Sequence, residues 1–321
     1  MLSSSSLPLL ATALLAPSLV AANQYSQTDS FQGNDFLNTN NFQFITKDEA
    51  GGYVNYVNKA TAQSEGLVSV SGSSFKMGVD YKKTPSASAV GRDSVRLQSI
   101  KQWEYHVSIY NVAHMPQGCG TWPALWEVGD SWETDGEIDI LEGVNTQEAN
   151  YVTLHVGSQT ASCTIPDTID QTGWVEDTDC DHKTSDSGCS VGLTEANNYG
   201  VDFNSNGGGF YAMEQNPNFV KVWFWPRSAS NIPADVKNGV STINTDNWGT
   251  PSAYFPNTHC DIASHFHARN ILMNIDLCGD WASGEFEADG CGTGTCNDYV
   301  RNNPSAFQNA YFDINWVKVF Q

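Results

Sequence analysis

The chain has 321 residues, with 36 acidic side chains against 15 basic ones and a formal net charge of −21. A surface this acidic repels nucleic acid and anionic membranes, so neither is expected as a partner, and a neutral ligand suits it better.

Taken in chain order, residues 1–22 carry no charged side chain. Leu7 to Val20 is apolar apart from Thr12 and Ser18 and runs into Ala21 and Ala22. That is the pattern of a secretory leader cleaved after Ala22, and it is too short and too interrupted for a membrane anchor. Residues 23–321 are then expected to form a single domain of a secreted, extracellular protein, without a membrane span and acting as a monomer. Eight cysteines lie in this part, and an even count in an oxidising compartment favours up to four disulfides, with the pairing left open. A zinc site built on Cys260, His265 and His267 is disfavoured by its spacing.

Helical periodicity is weak throughout, whereas strand signals recur. The run from Gly66 to Val70 leads into a turn-like Ser71-Gly72-Ser73-Ser74, and Val95 to Ile100 alternates with period two. Further strands are read at Glu104 to Asn111, Asn218 to Trp225, Ile271 to Asp276 and Ala310 to Phe320. Many short strands with turn chemistry between them predict an all-β sandwich or barrel. Long polar loops, notably Ser158 to Ser190 and Asn204 to Gly209, are expected to be functional or tied by disulfides.

The segment Asp135-Gly136-Glu137-Ile138-Asp139-Ile140-Leu141-Glu142-Gly143 carries the chemistry. As a strand, it places Glu137 and Asp139 on one face and Glu142 out of phase by one residue. A one-residue bulge near Ile140-Leu141 would return Glu142 to that face. Clustered carboxylates raise one another's pKa, so one holds its proton while another ionises, which is the division of labour glycoside hydrolysis needs. Two Glu side chains leaning together along such a strand bring their carboxyls to about 5–6 Å, nearer the retaining than the inverting separation. Trp122, Trp126 and Trp132 precede the motif closely, and aromatic faces stack on sugar rings.

Glu137-Ile-Asp-Ile-Leu-Glu142, together with His114-Met-Pro-Gln-Gly-Cys-Gly-Thr-Trp-Pro-Ala-Leu-Trp126, Thr153-Leu-His155, Tyr211-Ala-Met-Glu214, Trp248-Gly-Thr-Pro and Cys278-Gly-Asp-Trp281, resembles glycoside hydrolase family 16. Within it, the likeness is to fungal laminarinase-type endo-1,3(4)-β-glucanases, and it runs from about Phe36 to Gln321. The resemblance implies a β-jelly-roll (concanavalin-like) sandwich of two antiparallel sheets with a concave substrate cleft. It also implies a retaining mechanism, with Glu137 as nucleophile, Glu142 as acid/base and Asp139 tuning the pair. His155 corresponds to a family histidine near the acid/base. Trp122, Trp126, Trp132 and Trp281 are expected to line the cleft, and Asn55, Arg96 and Glu214 to meet sugar hydroxyls. The partner is a β-glucan, and this chemistry calls for no cofactor and no metal. A wall-remodelling transglycosylase and a non-catalytic glucan-binding protein remain alternatives on the same fold, and the linkage preference stays open.

Overall fold

A computed structural model describes residues 23–132, 134–157 and 162–321. The expected leader, residues 1–22, lies outside the described residues, as does the 158–161 part of the long polar loop. Two antiparallel sheets face each other, as the sequence led one to expect. One has eight strands in the spatial order Trp174–Asp177, Cys189–Gly192, Tyr151–His155, Glu137–Glu142, Thr121–Gly129, Arg269–Leu277, Arg96–Trp103 and Phe42–Phe44. The other has nine, with Tyr311–Phe320 and His106–His114 at its centre. Each strand read from the sequence is present with small shifts of its ends, and Ser71 pairs with Ser74 across the predicted tight turn.

Alternation explains the core. On the eight-stranded sheet, Leu125, Ile138, Leu154, Ile271, Met273 and Ile275 point inward and are fully buried. They meet Tyr110, Tyr211, Met213, Val222 and Val317 of the nine-stranded sheet in one apolar cluster. Burying side chains of this size is worth about 1.5–3 kcal/mol each, so the two-layer arrangement follows from the pattern. Between the sheets a charged group is buried: Glu127 Oε1 lies 3.0 Å from His106 Nε2, and Arg269 Nη2 is 3.6 Å from Glu127 Oε2.

A second cluster covers the outer face of the nine-stranded sheet. There Phe210, Ala212, Trp223 and Trp225 pack under Trp248 and Val236. Helices among the described residues are short, the longest α-helices having 7 residues. None is long and apolar enough to cross a membrane. Four disulfides pair Cys119 with Cys291, Cys163 with Cys260, Cys180 with Cys189 and Cys278 with Cys296. Cys260 is therefore a disulfide partner and offers no thiolate to a metal.

Candidate active site

The Glu137–Glu142 strand lies in the middle of the eight-stranded sheet, and its pairing with Thr121–Gly129 carries the bulge. Asp139 opposes Trp126, Leu141 opposes Leu125 and Glu142 opposes Ala124, so Ile140 is the extra residue. The bulge restores Glu142 to the face that carries Glu137 and Asp139, away from the core. Ile138, Ile140 and Leu141 are fully buried. Gly136 opens the strand at φ +78°, where a Cβ would stand 2.4 Å from the Phe266 ring, so only glycine fits the entry to Glu137.

Packing around the three carboxyls decides their protonation. Burial, then the neighbouring charge of Glu142, raises Glu137 from its usual 4.5 to about 7. Burial raises Glu142 to about 7 as well. Asp139, 2% exposed, is pushed well above the usual carboxylate range by burial and by both glutamates. The trio titrates as a unit, and the question is where the first anion forms. Three groups favour it on Glu137: the Trp132 indole N–H, the Arg96 charge and a hydrogen bond from Asp139. Glu142 has only the Trp122 N–H, which donates to its Oε1 at 2.8 Å. Glu137 thus gives up its proton the more readily, and Glu142 keeps its own longer.

His155 sits across from Glu137 on the next strand, with Nε2 3.6 Å from Asp139 Oδ2. That is too long for a hydrogen bond. Burial and then the charge of His182 lower His155 to about 4, so its imidazole is neutral near pH 6. Glu137, Asp139 and His155 each place one ligand-type atom within 4.8 Å of the others, a spacing that could also hold a cation.

Aromatic side chains line the same face. Trp126 donates to Asn274 Oδ1 at 2.6 Å, and the Arg96 guanidinium lies 5.1 Å from its ring centre. Trp122 meets Trp281 edge to face at 5.8 Å. Trp132 is half exposed over Glu137. The sheet therefore presents three buried or walled carboxyl groups at a floor of indoles, a surface suited to a neutral, ring-shaped ligand rich in hydroxyls.

The profile of the XgeA-like, catalytic GH16 domain matches residues 42–320. The chain belongs to glycoside hydrolase family 16. Among solved structures, Laminarinase 16A of Phanerochaete chrysosporium superimposes with a TM-score of 0.90 at 49% identity, covering 93% of this chain and 100% of that one. An elongating family 16 β-1,3-glucosyltransferase gives a TM-score of 0.85 at 39% identity, covering 92% of this chain and 100% of that one. The endo-1,3(4)-β-glucanase xgeA of Emericella nidulans is 36% identical over 323 residues, 98% of this chain and 50% of that protein. The chain spans about half the length of the curated relatives it matches.

On the cleft face of the eight-stranded sheet, Glu137, Asp139, Glu142, His155, Trp122, Trp126 and Arg96 come together with Trp132 from a loop and Trp281 from the short Gly279–Gly284 helix. Two expected residues do not. Glu214 belongs to the nine-stranded sheet and shares the outer face of Phe210 and Ala212, where Tyr25 donates to its Oε1 at 2.7 Å. It is 1% exposed and supports the packing of the outer layer. Asn55 lies in a short parallel pair, and its amide donates to Asp93 Oδ1 at 2.6 Å. It alternates with Tyr56, whose hydroxyl accepts from Asn274, so Asn55 points away from the cleft group. His155 also stands with Glu137 and Asp139 rather than being tied to Glu142. The cleft residues that sequence reasoning passed over are Asn274 and Asp276. Both were visible as the polar phase of the Ile271–Asp276 alternation, one step from being read as floor residues.

Proposed function

We propose that this protein is a secreted endo-1,3(4)-β-glucanase that cleaves β-1,3- and mixed β-1,3/1,4-glucans with retention. The single observation that carries this reading is the bulge at Ile140, which sets Glu137, Asp139 and Glu142 on one face among indoles. Glu142 gives its proton to the glycosidic oxygen while Glu137 attacks the anomeric carbon, so the leaving sugar departs as an alcohol and Glu137 holds a glucosyl ester. Water then attacks the anomeric carbon as Glu142 takes back a proton, and the ester bond to Glu137 breaks. Protonated Asp139 donates to Glu137 and stabilises its anion in the free state. The laminarinase bound to two β-glucans, similar along nearly the whole chain, supports a β-glucan as the ligand. Four disulfides support an oxidising, extracellular setting.

Reducing-sugar release from laminarin, lichenan and carboxymethyl-cellulose by wild type and Glu137→Gln tests this. Release from laminarin or lichenan by wild type, lost in Glu137→Gln, is expected. No release on any of the three would overturn it. With Glu137→Ala, azide should restore turnover as a glucosyl azide. A second reading, transfer of the glucosyl unit to another glucan, is favoured by the likeness to the elongating glucosyltransferase. It uses the same residues, with a sugar hydroxyl in place of water, and products longer than the substrate at high laminari-oligosaccharide concentration would establish it.

A further inference from the structure

An aromatic path leaves the carboxylates and reaches the rim of the sheet. Trp122, bonded to Glu142, meets Trp281, and Trp281 meets Tyr151 at 6.3 Å. Tyr151 in turn meets Trp174 edge to face at 6.1 Å. Tyr151 pairs with Gly192, and Gly192 pairs with Trp174 on the outermost strand of the eight-stranded sheet. The Trp174 indole lies on Gly192 so closely that a Cβ there would stand 2.1 Å from its ring. Its N–H donates to Glu176 Oε2 at 2.8 Å, two residues along the same face. The ring is held from below and at its edge, yet Trp174 remains 38% exposed. Val175, between them, packs on the core.

An indole used only to cover an edge would be buried by what it covers. Here a glycine seats the ring and a carboxylate fixes its rotation, while more than a third of the side chain stays open to solvent. We infer that Tyr151, Trp174 and Glu176 form a distal sugar platform that takes the part of a β-glucan chain lying beyond the rings at Glu137 and Glu142. The occupant follows from continuity: the platform is on the same face of the same sheet as the carboxylates and is joined to them by touching aromatic rings. Three strand spacings separate the Glu142 strand from the Trp174 strand, about 14 Å, which several glucosyl rings would span. The indole face stacks on the apolar face of a pyranose, and the Glu176 carboxylate accepts hydroxyl hydrogen bonds. A neutral chain pays no electrostatic penalty for meeting this acid-rich surface.

The inference rests on the glucanase reading and predicts a dependence on chain length. Steady-state kinetics of wild type, Trp174→Ala and Trp174→Phe on polymeric laminarin and on laminaritriose test it. For Trp174→Ala, KM on laminarin should rise about five- to tenfold, the loss of one stacked ring, with kcat within about twofold. Laminaritriose, too short to reach the rim, should show unchanged kinetics, and Trp174→Phe should recover most of the laminarin affinity. An unchanged KM on laminarin, or an equal rise on both substrates, would overturn the platform. Should wild type release no sugar at all, the glucanase reading falls. Calorimetric binding of laminarin to wild type and Trp174→Ala then decides the platform alone, weaker binding by the variant supporting it and equal binding ending it. If circular dichroism shows Trp174→Ala unfolded, Glu176→Gln is read for the same split between long and short chains.

Discussion

Trp122 and Trp132 each aim their one polar atom, the indole N–H, at a carboxylate, the first at Glu142 and the second at Glu137. Such a bond favours the anion of the group that accepts it, so its removal raises that group's pKa. The two consequences appear on different limbs of a pH–rate profile. Trp122→Phe leaves Glu142 holding its proton to higher pH, and the alkaline limb of kcat/KM should move up by about one pH unit. Trp132→Phe makes the Glu137 anion harder to form, and the acidic limb should move up by a similar amount. Movement of the same limb in both variants would contradict the assignment of acid and nucleophile. Arg96 works on the same balance from further off, since its charge lowers Glu137 while its guanidinium lies over Trp126.

At the level of the element, the bulge matters more than any one side chain. A regular strand through Glu137–Glu142 would send Glu142 into the layer that holds Ile138 and Leu154. Deleting Ile140 alone removes the extra residue and leaves Glu142 opposite Ala124, in phase with Glu137 and Asp139, so glucan release should survive. Deleting Ile140 and Leu141 together puts Glu142 opposite Leu125, inside the core. An ionised or unpaired carboxyl in such a core costs several kcal/mol, so the double deletion should lose all glucan release and unfold well below wild type. Thermal unfolding and laminarin hydrolysis measured together check this, and retained activity in the double deletion would mean that the register can slip without flipping the face. The same period-two logic explains Trp174 and Glu176, which share a face because one residue separates them.

Across the whole molecule, proton binding links the cleft to stability. Glu137, Glu142 and Asp276 have native values near 7, and Asp139 lies well above its usual range. For Asp276 the causes are burial first, then the charge of Asp48. A carboxyl whose folded-state pKa is raised keeps its proton in the native state after the unfolded chain has released it. Its contribution is present below about pH 4 and is lost as pH rises through about 7. His114, His155 and His265 are lowered by burial and act in the opposite sense over part of this window. The carboxyls outweigh them, and self-repulsion at a net charge of −21 adds to the loss. Thermal midpoints should therefore fall as pH rises from about 5 to 8. Asp276→Asn should flatten that slope by removing a contribution of up to about 4 kcal/mol. An unchanged slope in Asp276→Asn would show that Asp276 ionises normally.

The strands could be read along the chain, because alternation of apolar residues is a local property that the sheet only has to satisfy. So could the carboxylate motif and the need for a bulge, since the phase error between Asp139 and Glu142 is countable along the chain. Which sheet, and which face of it, each polar residue joins depends on how distant segments pack. Glu214 has the right chemistry for a sugar, yet it closes the outer layer beneath Tyr25, and Asn55 is turned toward Asp93 by the phase of a three-residue strand. Asn274 and the path from Trp122 to Trp174 are assembled from strands far apart in the chain, and so are the partners of Cys119 and Cys163. Such neighbours are set by how two sheets stack and in what order their strands pair, a choice made by the burial of the whole apolar pattern at once and by no single segment of it.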